Sequence, residues 1–374
     1  MTPFSPTILI GCYFPRSVAI EGVGTLVQGL VSTFRTRRWN ISLVLPEGSS
    51  FCGPGTEITT YSQGLWSFQR YRETLQRQGA RAQAVLLLEN NPNLVGSADA
   101  SPAGRNTFCF FCTPLQTLRS AAQMGVTRQA VLHALVKHVA LARFHNWSDK
   151  RCIVGSAFQA AQLQRFKPAE VHIMRAGGIS RDRPIPSREE ARKQLGWHGR
   201  PVVGYLGHFS PAKGVDVLVK AFARYDGRAV LALAHSGQGR LCSRVAGVLD
   251  DLERAGRARR VGVTNPTTFL AACDVVALPY VTTSIFHPPQ VLLESFAAST
   301  AVITTSLGGL GEMVQAGITG EIVLSRRADA LCAAIDRRLG DLGGTHAMGR
   351  EARRQFEHDG CAETTVDRLL GLIR

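Results

Sequence analysis

The sequence predicts an α/β protein of two Rossmann-like domains, on three observations. At 374 residues the chain is too long for one ordinary hydrophobic core, so two domains are expected. Near its start an apolar run leads through a glycine turn into a helical stretch and a second apolar run. Past its midpoint, residues 201–214 (PVVGYLGHFSPAKG) have a related order: a buried-strand run, a loop ending in Lys-Gly, then a helix.

Residues 7–12 (TILIGC) read as the first buried strand, residues 21–25 (EGVGT) as the glycine turn, the stretch to about Arg38 as a helix, and 41–45 as the second strand. Gly22 and Gly24 either let backbone approach a ligand's diphosphate or serve the geometry of the turn itself. Residues 84–88 and 108–112 read as further strands, separated by a loop at 90–106 rich in Asn, Ser, Gly and Pro. Stretch 128–147 is helical in period, with Val131, Leu135, Val139 and Ala142 on one side. Such a helix either packs on a sheet or lies on anionic lipid, with Phe144 or Trp147 at the boundary. Ser156 is a natural N-cap. A proline-containing linker at 182–187 and a short helix at 188–196 then lead to the second domain. There, 202–206 suits a central parallel strand, 215–225 an amphipathic helix, and 229–234 and 259–263 further strands.

Composition narrows the classes. The formal charge is +15; six of the 43 basic residues are lysines, so 37 are arginines. Residues 1–182 hold 19 Lys and Arg against 9 Asp and Glu, so the first half is the more basic one. A basic face suits a membrane surface, a nucleic acid or an anionic substrate, but no basic-aromatic strand pattern of a nucleic-acid module is present. No apolar run approaches the ~18 residues of a membrane span, and no basic region followed by an apolar core opens the chain, so a cytoplasmic protein is expected. The nine cysteines are scattered, several within apolar segments (Cys12, Cys152, Cys273, Cys332), which fits reduced, buried thiols. Cys109 and Cys112 form a lone C-x-x-C, better read as a packed strand than as a metal site.

Lys213 stands at the end of the 201–214 loop, near a helix N-terminus whose free amides favour an anion. Alone it reads equally as a phosphate ligand or a surface lysine. A second stretch, 274–323 (DVVALPYVTTSIFHPPQVLLESFAASTAVITTSLGGLGEMVQAGITGEIV), breaks the tie. Gly207, Lys213, Gly214, Asp274, Pro279, Glu294, Gly308, Gly309, Glu312 and Gly320 fall in the order and spacing of a glycine-to-Lys-Gly loop, an aspartate strand ending in proline, an E-x7-E segment and a G-G-x-x-E turn. Together these resemble the C-terminal half of the family-4 retaining glycosyltransferases of GT-B fold. The resemblance is dense over about 200–323 and sparse before 200, where the EGVGT turn resembles the family's G-G-V-G-T entry.

The resemblance implies two Rossmann-like domains facing across a cleft: residues 1–182 as the acceptor domain, 183–200 as a linker, 201–355 as the nucleotide-sugar domain, and 356–374 as a helix crossing back to the first domain. It implies transfer of a hexosyl unit from a nucleotide diphosphate sugar to a hydroxyl acceptor, with retention. Lys213 and His208 are the expected catalytic residues, and Gly22, Gly24, Gly207, Lys213, Glu294, Phe286, Gln290 and Val291 the expected donor site. Lys213 matches the family's diphosphate lysine and Glu294 the carboxylate that accepts both ribose hydroxyls. The 90–106 loop is a candidate for acceptor choice.

The departures are as specific as the matches. His208 stands where an arginine is usual; it is either a weaker, pH-dependent partner of Lys213 or a tolerated loop residue. Phe286 replaces the first glutamate, and Pro288 and Pro289 remove amides that contact the donor sugar in relatives. If this segment still walls the sugar, a deoxy or modified donor is expected, unless Thr282, Thr283, Ser284 or His287 replaces the lost contacts. No histidine follows the 108–112 strand, and Gly177 and Ser180 replace an Asn and an Asp. No D-x-D occurs, so no metal is expected as cofactor. The expected partners are a nucleotide sugar, a hydroxyl acceptor and, through the basic first half, an anionic membrane surface touched peripherally, with no nucleic acid. Two rivals remain open: a sugar-nucleotide-binding protein without transfer, and a nucleotide-sugar epimerase that needs no acceptor.

Overall fold

A computed structural model of the chain describes residues 5–13, 21–49, 51, 56–62, 67–89, 106–113, 147–262, 264–283 and 288–373. These form two units. The first comprises 1–180, 286–290 and 361–374, the second 181–285 and 291–360.

The first unit carries β1 (Thr7–Tyr13), β2 (Asn40–Pro46), β3 (Glu57–Tyr61), β4 (Ala84–Glu89), β5 (Thr107–Phe111), β6 (Arg151–Val154) and β7 (Glu170–Ile173). They make one parallel sheet in the order β3-β2-β1-β4-β5-β6-β7. β1, β2 and β4 are near-continuous apolar runs because helices cover both faces of such a sheet. α1 (Glu21–Thr36) buries Leu26, Val27, Leu30 and Phe34 against one face, and α2 (Ser67–Gly79) brings Tyr71 and Leu75 to the other. The EGVGT stretch is the first turn of α1 rather than a loop before it. α1 also runs against the backbone at 178: a Cβ on Gly29 would strike the Gly178 carbonyl, and one on Gly178 the Thr25 carbonyl.

Three expectations for this unit resolve differently. Ser156 caps α3 (Ala157–Gln164) as read, its hydroxyl accepting from the Gln159 amide at 3.3 Å. Cys109 and Cys112 are buried on and beside β5, neither of them in a disulfide. Trp147, by contrast, is no lipid-boundary residue: it is buried, stacked on Phe166 at 4.7 Å and on Phe111 at 6.1 Å. The rest of the 128–147 stretch, with Phe144, and the 90–105 loop lie outside the described residues.

The second unit opens with α4 (Arg188–Leu195), so 183–200 is built into it rather than free. Ser187 and Glu190 form a capping box at its start, and Arg188 and Arg192 donate to the Cys273 and Ala272 carbonyls. Its strands, β8 (Val202–Phe209), β9 (Val230–Gly239), β10 (Ala258–Gly262), β11 (Val275–Leu278), β12 (Ala301–Thr305) and β13 (Gly320–Val323), form a parallel sheet in the order β10-β9-β8-β11-β12-β13. α5 (Val215–Arg224), α6 (Ser243–Arg254) and α10 (Ala328–Gly340) bury Leu218, Phe222, Leu249 and Ile335 in one core. α7 (Pro266–Ala272), α8 (Gln290–Ala297), α9 (Leu310–Met313) and α11 (Leu342–Asp359) complete the described helices of the unit.

The expected terminal helix is two helices. α11 ends at Asp359 and α12 (Ala362–Leu372) starts afresh after Gly360, where the Ala362 amide donates to the Ile179 carbonyl. α12 is part of the first unit. Val366 and Leu369 enter its core, Arg37 grips Asp367 with two bonds of 2.8 and 2.9 Å, and Ser180 donates to Glu363 at 2.6 Å.

Candidate active site

In the second sheet β9 and β10 lie to one side of β8 and β11 to β13 to the other. The strand order thus reverses between β8 and β11, and the crevice beyond their carboxyl ends is where open parallel sheets take ligands. The β8 loop holds Gly207 at φ 148, a backbone conformation that favours glycine, and a Cβ there would meet no atom closer than the Tyr205 hydroxyl at 3.6 Å. A 3-10 turn, Pro211–Lys213, follows, closed by Gly214 at φ 69 before α5 begins. Gly214 has a second reason to be glycine, since a Cβ would run into the Pro279 carbonyl oxygen. The Val281 amide donates to the Ala212 carbonyl at 3.1 Å. The β8 and β11 loops are thus stitched side by side.

Two buried tyrosines organise this junction. The Tyr205 hydroxyl donates to the His208 carbonyl at 2.6 Å and fixes the bend after Gly207. Lys213 Nζ sits 4.9 Å from the centre of the Tyr280 ring. Burial, and then the negative charge of Glu294, push the Tyr280 phenol above its ordinary value, which places Glu294 within electrostatic reach of that hydroxyl. Burial pushes Tyr205 up as well, with Tyr280 and Asp216 adding to it. His208 is held below the ordinary histidine value by burial first, then by the positive charge of Lys213 and by His235. Gly207, His208, Lys213 and Glu294, four residues picked from the sequence, therefore gather around Tyr205 and Tyr280. Gly308 and Gly309, both at positive φ, shape the turn after the neighbouring β12, and Glu312 follows in α9.

Other expected donor residues sit elsewhere or outside view. Gln290 is buried and spends its amide on backbone of the first unit: its Oε1 accepts from Gly178 N at 3.1 Å, and its Nε2 donates to the Ala176 and Pro288 carbonyls at 3.1 and 3.3 Å. Both ends of its amide are thus engaged with backbone. Val291 is half-buried in the first turn of α8, its carbonyl taken by the Ser295 hydroxyl at 2.7 Å. Phe286, with Ser284 and His287, lies outside the described residues. Gly22 and Gly24 belong to the first unit, in the first turn of α1 after β1, and a Cβ on Gly24 would meet nothing within 4 Å. Asp274, in register with the motif, lies at the amino end of β11, away from this junction, and is consumed by structural partners. Tyr280 and Tyr205 were not singled out from sequence; the aromatic directly after Pro279 was the available signal. Among the described residues no group of three or more His, Cys, Asp or Glu is placed to hold a metal ion.

The architecture is that of the GT-B class of glycosyltransferases. The chain aligns with sucrose-phosphate synthase from Thermosynechococcus elongatus at a TM-score of 0.77 over 98% of both chains, with 20% identity. It aligns with the Anabaena protein HepE in complex with UDP-glucose at 0.72, again over 98% of both, with 18% identity. Residues 200–341, the heart of the second unit, match the family described as Glycosyl transferases group 1. Among curated relatives, the D-inositol 3-phosphate glycosyltransferase of Mycobacterium marinum is 31% identical over 237 residues, covering 60% of this chain. The chain spans about half the length of that relative, 50% of it being matched.

Proposed function

We propose that the chain transfers a sugar from a nucleoside diphosphate sugar to a hydroxyl acceptor, with retention and without a metal. The gathering of Lys213, His208 and Glu294 around two buried tyrosines at the switch point of the second sheet carries this reading. Breaking the bond from the sugar's anomeric carbon to the diphosphate leaves negative charge on the departing group. Lys213, with the α5 amides behind it, supplies the positive charge that stabilises it. His208, held neutral at pH 7, offers one hydrogen bond. Glu294 is suited to accept both ribose hydroxyls. The acceptor oxygen bonds to the anomeric carbon and its proton passes to a diphosphate oxygen, so no separate protein base is required. The UDP-glucose in HepE supports UDP as the first nucleotide to try.

None of the described cysteines is in a disulfide, which supports a cytoplasmic setting, and no described helix is long and apolar enough to cross a membrane. The basic excess of residues 1–182 supports peripheral contact with an anionic surface, tested by sedimentation with anionic vesicles at low salt.

A thermal-shift screen of UDP, GDP, ADP and dTDP tests the nucleotide reading, because a ligand that binds only the folded chain raises Tm by mass action. Stabilisation by one of them, followed by nucleoside diphosphate release from its sugar in an acceptor mixture, is the expected result. Binding without release in any mixture favours a non-transferring binder, and donor conversion without acceptor an epimerase.

A further inference from the structure

We propose that Tyr280 is a positioning residue for Lys213: its ring face seats the ammonium and aims it at the leaving diphosphate. The inference rests on the transfer reading above and adds the element that makes its lysine effective.

A lysine on a 3-10 turn is poorly constrained, because its stem has many rotamers and its head is a strongly hydrated point charge. Lys213 is half-buried, and its Nζ lies over the Tyr280 ring at 4.9 Å, within cation–π range. The ring itself has little freedom. Tyr280 is buried, its amide donates to the Leu278 carbonyl at 2.9 Å, and its carbonyl accepts from the Thr305 and Ser325 hydroxyls at 3.0 and 3.1 Å. Its neighbours on both sides are locked to the lysine's own loop, Pro279 by its close approach to Gly214 and Val281 by its bond to Ala212. The ring and the loop that carries the lysine are therefore held side by side.

The chemistry of the seat matters as much as its rigidity. A ring face attracts the cation through its quadrupole without cancelling the charge, so the ammonium stays fully available to a diphosphate. The phenol is kept protonated by burial and by Glu294, which preserves the neutral ring. The ring accounts for the seat and the hydroxyl does not, so phenylalanine should replace tyrosine here and an aliphatic side chain should not.

The test is calorimetric titration of the full chain, using whichever of UDP, GDP, ADP and dTDP stabilises the wild type most, alongside the matching nucleoside. Tyr280→Phe is expected to bind both as the wild type does. Tyr280→Leu is expected to lose about fivefold in diphosphate affinity with nucleoside affinity unchanged. In a Lys213→Ala background Tyr280→Leu is expected to cost nothing further, since the group it seats is gone. Equal losses for diphosphate and nucleoside, or an undiminished loss in the Lys213→Ala background, overturn the proposal, because both describe a merely structural tyrosine. Lys213-dependent binding with Tyr280→Leu at wild-type affinity overturns this inference alone. Failure of the wild type to bind any nucleoside diphosphate overturns the transfer reading and this inference with it.

Discussion

At the amino end of β11, Asp274 is buried and its carboxylate takes bonds from the Val202 amide at 2.7 Å and Arg192 at 2.5 Å, with His346 at 3.0 Å and Arg188 at 3.9 Å. Just past the carboxyl end of the same strand, Tyr280 is buried too, but what it touches are Lys213, half-buried at the crevice, and the charge of Glu294. Asp274 and Pro279 belong to one motif, and a strand of four residues separates two jobs. The carboxylate ties α4 and α11 to the sheet; the aromatic ring arranges charges for a ligand. Motif register alone does not distinguish a residue that holds the scaffold from one that faces the chemistry, whereas the direction of a parallel strand does.

Substitutions at the two ends should therefore separate cleanly. Asp274→Ala leaves Arg192 without its buried partner and is expected to cost about 3–5 kcal/mol of stability. Urea unfolding measures this, and the fraction still folded should bind nucleotide as before. Gly214→Ala adds a Cβ against the Pro279 carbonyl at a positive φ, and an overpacked site of this kind costs about 1–3 kcal/mol. Because it pries apart the two stitched loops, both Tm and diphosphate affinity should fall, which marks the junction as scaffold and site at once. Lys213→Ala should leave Tm unchanged and weaken nucleoside diphosphate binding by about 1.5–3 kcal/mol, the worth of a charge-assisted bond, with nucleoside binding unaffected. Equal loss for both ligands would remove Lys213 from the diphosphate.

The smallest effect is expected from His208. Its folded value is depressed below 6.5, so the unfolded chain takes up the proton first. The stability it contributes is complete above about pH 6.5 and is lost as pH falls through the folded value. A bound diphosphate favours the imidazolium, so affinity for a nucleotide sugar, whose esterified phosphates do not titrate there, should rise a few-fold over the same interval. His208→Gln should flatten both profiles; an unchanged affinity profile would make His208 a bystander.

Much of the second unit was legible because its strands are apolar runs between breakers and its loops carry glycines at fixed spacing. β8 and α5 follow from local pattern, whereas β11, Lys213 and Glu294 were picked by their register with the family motif. What was not legible depends on partners distant in sequence. Gln290 reads as a motif residue until the Gly178 and Ala176 backbone is found beside it. Trp147 reads either as packed on a sheet or as a lipid-boundary residue until Phe166 stacks on it. The Tyr280 seat needs the approach of two loops that only Gly214 permits, and β3, with its exposed, polar pattern, gives little hydrophobic signal.

The first unit is assembled from three separate pieces of chain. During synthesis the strands of its sheet emerge early, but Val366 and Leu369 of α12, which close its core, leave the ribosome more than 180 residues after Ser180. Until then Leu26, Leu30 and Phe34 of α1 wait without that cover, and the Gly178 amide waits without Gln290. The nascent first unit is therefore expected to be a client for chaperones through the making of the whole second unit. For the same reason a fragment cut at residue 182 is expected to be less stable than the first unit in the full chain, since it lacks Val366, Leu369 and the Gln290 amide.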